Sequence, residues 1–239
     1  MRTSWRCLVA ALVLGCAAPA AAGEPELFLS WRAPHGAPGA SSVLARPCGD
    51  TTQVDSLYLC VRLGENATGV YALKAQVLFS AGTGDTLAPT WRNVGGRGWP
   101  GFLQVEFPGD SAGASGSLWT AAGIGSYAYD FTSANARVRM ICGAPPGAVR
   151  PVSADGIYTL ARLLLRRSPA RTPGCDQPLC MQFVSASLLL EPTKPVVNGV
   201  LGKYRFVSMN SAADRVCREY RKTRPIVTAP AASDTAQAR

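Results

Sequence analysis

Histidine, the commonest general base in enzymes, occurs once in these 239 residues, as His35. A Ser-His-Asp or Cys-His site would have to use this residue, and a histidine-based metal site would have a single ligand. His35 lies in a Gly/Pro-rich segment, 33–40, and no catalytic-serine, zinc-binding or phosphate-binding motif occurs in the chain. We therefore predict a solvated loop histidine, no metal site and no cofactor.

Carboxylates offer a second route to catalysis, because glycoside hydrolysis needs two acids about 5–10 Å apart. The candidates are Asp85, Glu106, Asp110, Asp130 and Asp155. Three of them, Asp85, Asp110 and Asp155, stand in turn-like contexts, where an aspartate commonly hydrogen-bonds its own backbone. The spacing of these acids along the sequence does not predict that any two of them lie close together. A carboxylate-dependent secreted hydrolase, or an accessory subunit of one, is therefore the alternative to a protein without catalytic activity.

Tryptophans are the best candidates for binding, since indole rings stack on sugars and anchor protein interfaces. Trp31 and Trp119 fall in strand-like segments, which favours the core for both. The long Gly-rich segment 80–101 carries the ligand-binding residues that we predict, two tryptophans each flanked by an arginine: Trp91, Arg92, Arg97 and Trp99. The alternative for both of these rings is that they fold back onto the domain and cover its core.

Six cysteines follow the N-terminal segment: Cys48, Cys60, Cys142, Cys175, Cys180 and Cys217. An even number in an exported chain indicates up to three disulfides. We predict the pair Cys175–Cys180, because residues 176–179 form a plausible turn that brings the two side chains together. The other four are expected to be paired as well, in an order that the sequence does not determine.

The first 22 residues have the three parts of an export signal, with Arg2 and Arg6, a short apolar run, and small residues ending at Ala22. The apolar run is too short for a spanning helix. Two kinds of processing stay open: release after Ala22, or acylation of Cys16, because residues 13–16 resemble a lipobox. We predict an exported protein that is periplasmic, secreted or anchored to the outer membrane, and it contacts a membrane only if Cys16 carries a lipid.

Basic residues exceed acidic ones even without the signal, since removing Arg2 and Arg6 leaves 22 against 15. Most of the basic residues are arginines scattered through an Ala-, Gly- and Pro-rich chain. Nucleic-acid binding typically uses clustered basic charge instead. We therefore expect no nucleic-acid partner.

Alternation of apolar and polar residues predicts the strands that position these side chains. The clearest are 56–63 and 68–79, which residues 64–67 connect as a hairpin. Gly, Pro, Ser and Asp clusters separate nearly all of the further strand candidates, which are 27–31, 102–107, 127–131, 137–142, 157–167, 181–190 and 204–208. Strands at this spacing, without helical periodicity between them, predict an all-β fold, an antiparallel β-sandwich.

One helix is predicted near the C-terminus, over 211–222, with Ser211 as its N-cap and Arg221 and Lys222 at the negative end of its dipole. The Ala-, Thr- and Pro-rich sequence after Pro225 is predicted to be disordered. The predicted organisation has four parts, which are a cleaved signal at 1–22, a sandwich domain at 23–209, a helix packed on it at 210–224 and a tail at 225–239.

Two segments resemble strands of cohesin-type sandwiches. Residues 69–79, followed by Leu87, are similar to an early apolar strand that ends in an aromatic residue and is followed by a Leu. Residues 155–163 are similar to the later D-G-x-L-x-x-I-x-F strand, and the two lie in the same order over 54–190. The resemblance implies a cohesin-like or Ig-like jelly-roll sandwich, related to carbohydrate-binding modules and not catalytic.

The sequence thus predicts a non-catalytic exported binding module of the bacterial envelope or exterior, whose partner is a protein or a polysaccharide. Besides the hydrolase named above, the alternative is a structural envelope protein without a small ligand.

Overall fold

The computed structural model describes residues 25–45, 53–81, 86–91, 103–110, 116–166, 174, 176–190, 197–198, 206–210 and 217. These residues form a short 3-10 helix, Pro89–Trp91, and eleven strands. In chain order the strands are β1 (Glu26–Trp31), β2 (Val43–Leu44), β3 (Val54–Arg62), β4 (Ala72–Ala81), β5 (Leu103–Glu106), β6 (Ile124–Phe131), β7 (Asn135–Gly143), β8 (Ile157–Arg166), β9 (Leu179–Leu189), β10 (Val197–Asn198) and β11 (Phe206–Met209). The predicted signal and tail lie outside the described residues, as does the predicted helix apart from Asn210 and Cys217.

The strands form two sheets, as expected for an all-β chain. The small sheet has the order β1-β3-β8-β5, and the large sheet has the order β2-β11-β9-β4-β7-β6, with β10 paired to β9. Only the β2–β11 pair is parallel among the pairs of the described residues. No helix in this part of the chain has the length and apolarity to cross a bilayer.

The period-two alternation of β3 and β4 places their apolar side chains in one core between the sheets. On β4, the alternate residues are buried while Lys74 between them is exposed. The residues of the two strands that belong to this core cluster are Leu57, Leu59, Val61, Leu73, Ala75, Val77 and Phe79. The sequence pattern of both strands is therefore confirmed, but the predicted hairpin between them is wrong, because β3 belongs to the small sheet and β4 to the large sheet.

Two tryptophans occupy the core, as their strand-like contexts predict. Trp31 at the end of β1 is buried, and its Nε1 donates a hydrogen bond to the Ser208 carbonyl on β11, 3.0 Å away. Trp119 is buried as well, and its Nε1 donates to the Val70 carbonyl. A buried indole N–H needs such an acceptor, so each tryptophan also fixes the position of another segment.

Cys180 is bonded to Cys217, and the predicted Cys175–Cys180 pair is therefore wrong. The reason is the register of β9, in which Cys180 pairs with Ser80 on β4 and with Ser208 on β11. This register turns its side chain to the outer face of the large sheet, where Cys180 clusters with Phe206 and Cys217. A disulfide of this kind is compatible with an extracellular protein.

Cys60 and Cys142 are free thiols, which corrects the prediction that both are paired. Cys60 lies on the outer face of the small sheet, opposite Phe28, whereas Cys142 belongs to the core between the sheets. Because the small sheet separates the two thiols, they cannot form a disulfide. Burial raises the pKa of Cys60 to about 11 and that of Cys142 to about 12, so both stay protonated. Cys48 and Cys175 lie outside the described residues.

Candidate functional site

The edge strands β5 and β6 lie on the same side of the two sheets. The Tyr127 hydroxyl on β6 donates a hydrogen bond to the Leu103 carbonyl on β5, at 2.7 Å. Where the strands end, the amide of Gly123 donates to the Phe107 carbonyl at 2.8 Å. These bonds connect the small sheet to the large one, and we call this part of the molecule the β5–β6 side.

A groove of about 680 Å³ lies on the β5–β6 side. Its walls come from residues 105–109 and from residues 122–127, and Arg162 on β8 completes it. The volume is in the range of small-ligand sites, about 300–1,000 Å³. Every residue of the lining belongs to the described part of the chain.

Close backbone approach explains a glycine in each wall of the groove. At Gly123, a Cβ would lie 2.3 Å from the Trp119 ring and 2.4 Å from the sulfur of Cys142. At Gly109, a Cβ would lie 2.7 Å from the backbone of Ala121. Both contacts are far shorter than van der Waals distance, so the absence of a side chain allows the two walls to pack together.

An ion pair forms the polar part of the groove. Arg162 donates from Nε to Oε2 of Glu106 at 2.9 Å, and from Nη2 to the same oxygen. Burial lowers the pKa of Arg162, but hydrogen bonds to Tyr58 and Glu106 and the charge of Glu106 outweigh this, so the net pKa is raised. Arg162 is thus charged, and Oε1 of Glu106 accepts no hydrogen bond from the described residues.

Tyr127 forms the aromatic part of the groove. Its ring is 41% exposed although its hydroxyl is bound to the carbonyl on β5. This bond holds the ring across the gap between the sheets, with part of its surface open to water. Ser126 next to it adds a hydroxyl to the lining. The groove therefore combines a fixed aromatic surface with charged and neutral hydrogen-bonding groups.

The acids of the described residues are not arranged for hydrolysis. Glu106, Asp110 and Asp130 each form an ion pair with an arginine, which is Arg162, Arg150 or Arg139 respectively. Asp155 is exposed in a turn, as predicted, and Asp85 lies outside the described residues. In the same part of the chain, no group of three His, Cys, Asp or Glu side chains is placed to hold a metal ion.

A second surface lies on the outer face of the large sheet. Ile124 on β6 is 70% exposed and Ile141 on β7 is 58% exposed. Ile141 pairs with Ser126, two residues from Ile124, and with Lys74 on β4. Paired residues share a face, as do residues two apart on a strand. The exposed basic and large apolar residues that share this face are Lys74, Ile124, Arg137, Arg139 and Ile141, which we call the outer patch.

Trp91 is buried, with 1% of its surface exposed, so the expectation of an exposed ring at this position is wrong. Its ring centroid lies 6.3 Å from that of Phe79, and its carbonyl accepts a hydrogen bond from the Tyr129 hydroxyl. The alternative weighed for this ring, that it anchors its own segment on the core, matches the structure.

The other predicted ligand-binding residues, Arg92, Arg97 and Trp99, lie outside the described residues and stay a prediction. The described residues on either side of the segment that carries them are Trp91 and Leu103. The Trp91 carbonyl accepts a hydrogen bond from the Tyr129 hydroxyl, and the Leu103 carbonyl accepts one from the Tyr127 hydroxyl. Both tyrosines belong to β6. The described residues on either side of this segment are therefore both hydrogen-bonded to β6.

His35 is half-buried and not solvated as predicted. Its ring stacks on Phe28, with 4.4 Å between the centroids and 12° between the planes. Burial is the main cause that lowers the pKa of His35; Arg62 lowers it further, and Glu26 opposes both. This contact covers the outer face of the small sheet.

Comparisons with known proteins do not show a family. No protein-family description and no curated protein match the sequence. The third cohesin of ScaC from Acetivibrio cellulolyticus, solved in complex with the ScaB dockerin, aligns at 12% identity over 79% of this chain and 99% of that chain, with a TM-score of 0.34. AvmM, described as catalysing macrocyclization in alchivemycin A biosynthesis, aligns at 10% identity over 75% of this chain and 82% of that chain, also with a TM-score of 0.34. Likenesses this distant favour neither binding nor catalysis.

Proposed function

We propose that the protein is a non-catalytic binding module of the bacterial envelope or exterior, and that it docks a protein partner on the outer patch. The observation that carries this proposal is the exposure of Ile124 and Ile141. The two are diagonal neighbours on adjacent strands, within side-chain reach of each other. Adjacent apolar side chains that are left in water, with polar residues around them, mark interaction surfaces.

The charges around the two isoleucines indicate what the partner presents. Lys74, Arg137 and Arg139 surround them, and Asp130, which pairs with Arg139 at 3.1 Å, is the one acid on the neighbouring strand β6. A surface with an apolar centre and a basic rim fits a protein whose own apolar contact residues are flanked by acids. Such rim charges act mainly on the association rate, and salt screens them.

A capture experiment with matched variants tests the proposal. The mature chain is immobilised and exposed to an extract of its own cell envelope, and bound proteins are identified by mass spectrometry. Ile141→Asp places a charge at the apolar centre, and Lys74→Glu reverses one rim charge. We expect a protein that the native chain captures to be lost with Ile141→Asp, and to bind more slowly to Lys74→Glu.

The matched control is Val54→Asp, because Val54 is an exposed apolar strand residue of the small sheet, 43% exposed. Capture should be unchanged in this variant. If Ile141→Asp and Val54→Asp capture the same proteins equally well, the outer patch is not the docking surface. If the native chain captures nothing, a structural envelope role replaces the proposal.

A further inference from the structure

We propose that the groove on the β5–β6 side is a separate binding site for a neutral saccharide, with Tyr127 as the stacking surface and the Glu106–Arg162 pair as the hydrogen-bonding group. Ser126, which pairs with Ile141, also lines the groove, so this site and the outer patch are neighbours. Their binding groups differ, because Tyr127 alternates with the outward-facing Ser126 on β6 and the Glu106–Arg162 pair belongs to the small sheet. The proposal therefore stands or falls independently of protein docking.

Tyr127 has the properties of a stacking platform. Because its hydroxyl is bound to the Leu103 carbonyl, the ring can contact a ligand only through its face and edge. Sugar rings present C–H groups on one side, and aromatic faces bind such surfaces. A ring that is fixed before the ligand arrives loses little conformational entropy on binding. The exposed part of this ring therefore suits a sugar better than it suits a role in the core.

The ion pair selects against charged ligands. Glu106 repels phosphate and carboxylate groups, and Arg162 repels cations, so the pair as a whole carries no net charge. Its free position is Oε1 of Glu106, an acceptor, because the bonds between the two residues use Oε2 and Arg162 is also hydrogen-bonded to Tyr58. A sugar hydroxyl can donate a hydrogen bond to this oxygen.

The shape of the groove agrees with this chemistry. Its volume of about 680 Å³ accommodates more than a single ion or water cluster, and its walls contain glycine backbone at Gly109, Gly123 and Gly125. Ser126 adds a hydroxyl to these walls as a further hydrogen-bonding group for a polyhydroxylated ligand.

Affinity electrophoresis of the mature chain tests the proposal. Native gels contain one of three soluble neutral polysaccharides (hydroxyethyl cellulose, galactomannan or glycogen) or the anionic polysaccharide alginate. We expect retardation in at least one neutral gel and none in alginate. Tyr127→Ala should weaken binding roughly ten-fold or more, whereas Tyr127→Phe should retain most of it, since the ring is kept.

Phe131→Ala is the matched control, because Phe131 is a partly exposed aromatic residue of the same strand that does not line the groove. It should bind like the native chain, and so should Ile141→Asp. Glu106→Gln keeps the shape of its side chain and should also weaken retardation, which provides a test that does not depend on the folding of Tyr127→Ala. The proposal is overturned if no neutral polysaccharide retards the native chain, if alginate alone does so, or if Glu106→Gln and folded Tyr127→Ala bind normally.

Discussion

The outer faces of the two sheets differ in how far their apolar side chains are buried. On the small sheet, the outward side chains Phe28, Tyr58 and Cys60 form a buried cluster, and His35 from the segment after β1 stacks on Phe28, whereas Val54 at the start of β3 stays exposed. On the large sheet, Ile124 and Ile141 are left in water. Among the described residues, most of one outer apolar face is thus covered, and nothing covers the outer patch. This difference is the physical ground for assigning the patch to a partner.

The largest effect is expected from truncating the covered face. Phe28→Ala removes a side chain that is only 3% exposed and should lower the free energy of unfolding by about 3 kcal/mol or more. Ile141→Ala on the bare face should change it by less than about 0.5 kcal/mol. Urea unfolding of both variants checks this contrast. Equal losses of unfolding free energy in the two variants would show that Ile141 contributes to the stability of the isolated domain. The contrast between the covered and the bare face would then be wrong.

The disulfide covers another part of the large sheet, around Phe206, and its removal should have an effect of similar size. Cys180 and Cys217 are 37 residues apart, and closing a loop of this length stabilises by roughly 3–4 kcal/mol in the chain-entropy model. We expect the double variant Cys180→Ser/Cys217→Ser to lose up to that amount in urea unfolding. A loss as small as that of Ile141→Ala would mean that the bond constrains little.

The register of the strands and the number of cysteines together predict a second disulfide. Leu44 at the end of β2 pairs with Met209, which pairs with Leu179 at the start of β9, so these two strand ends lie at the same end of the large sheet. Cys48 follows Leu44 by four residues, and Cys175 precedes Leu179 by four residues. Because Cys60 and Cys142 are free, we predict the bond Cys48–Cys175. A non-reduced digest analysed by mass spectrometry checks it, and free thiols at both positions would refute it.

The smallest effect concerns His35 on the covered face. Its pKa is lowered in the folded protein, so the unfolded chain binds more protons below the ordinary histidine pKa of about 6.5. The contribution of His35 to stability is therefore complete above that pH and is lost as the pH falls through the folded-state pKa. The measurement is the free energy of unfolding between pH 7.5 and 5.5, which should decline less in His35→Gln than in the native chain. Identical declines would exclude His35 as the cause.

The strands and their core could be predicted from the sequence because alternation is local. Trp31 and Trp119 lie within or next to such strands and are buried as expected. The partner of Cys180 could not be predicted, since the direction of its side chain depends on the pairing of β9 with a strand about 25 residues later in the chain. The turn-like sequence before Cys180 therefore indicated the wrong partner, because Cys180 belongs to a sheet.

The position of the groove depends on the strand topology even more than the partner of Cys180 does, so it could not be predicted from the sequence. Tyr127 stood in a predicted strand, but only the strand order shows that its strand ends one sheet and meets the last strand of the other. Trp91 was expected to be exposed because its segment is Gly-rich, yet it packs beside Phe79 in the core. Whether a loop tryptophan is exposed depends on the space between the sheets, and sequence composition does not describe that space.

The central claim is that the outer patch, and not the covered face, meets a partner protein, and site-specific photo-cross-linking tests it most directly. A photoreactive amino acid replaces Ile141 in one strain and Val54 in another, and whole cells are irradiated. We predict a discrete, heavier adduct from position 141 and none from position 54. The absence of an adduct at 141, or the same adduct from both positions, would contradict the account.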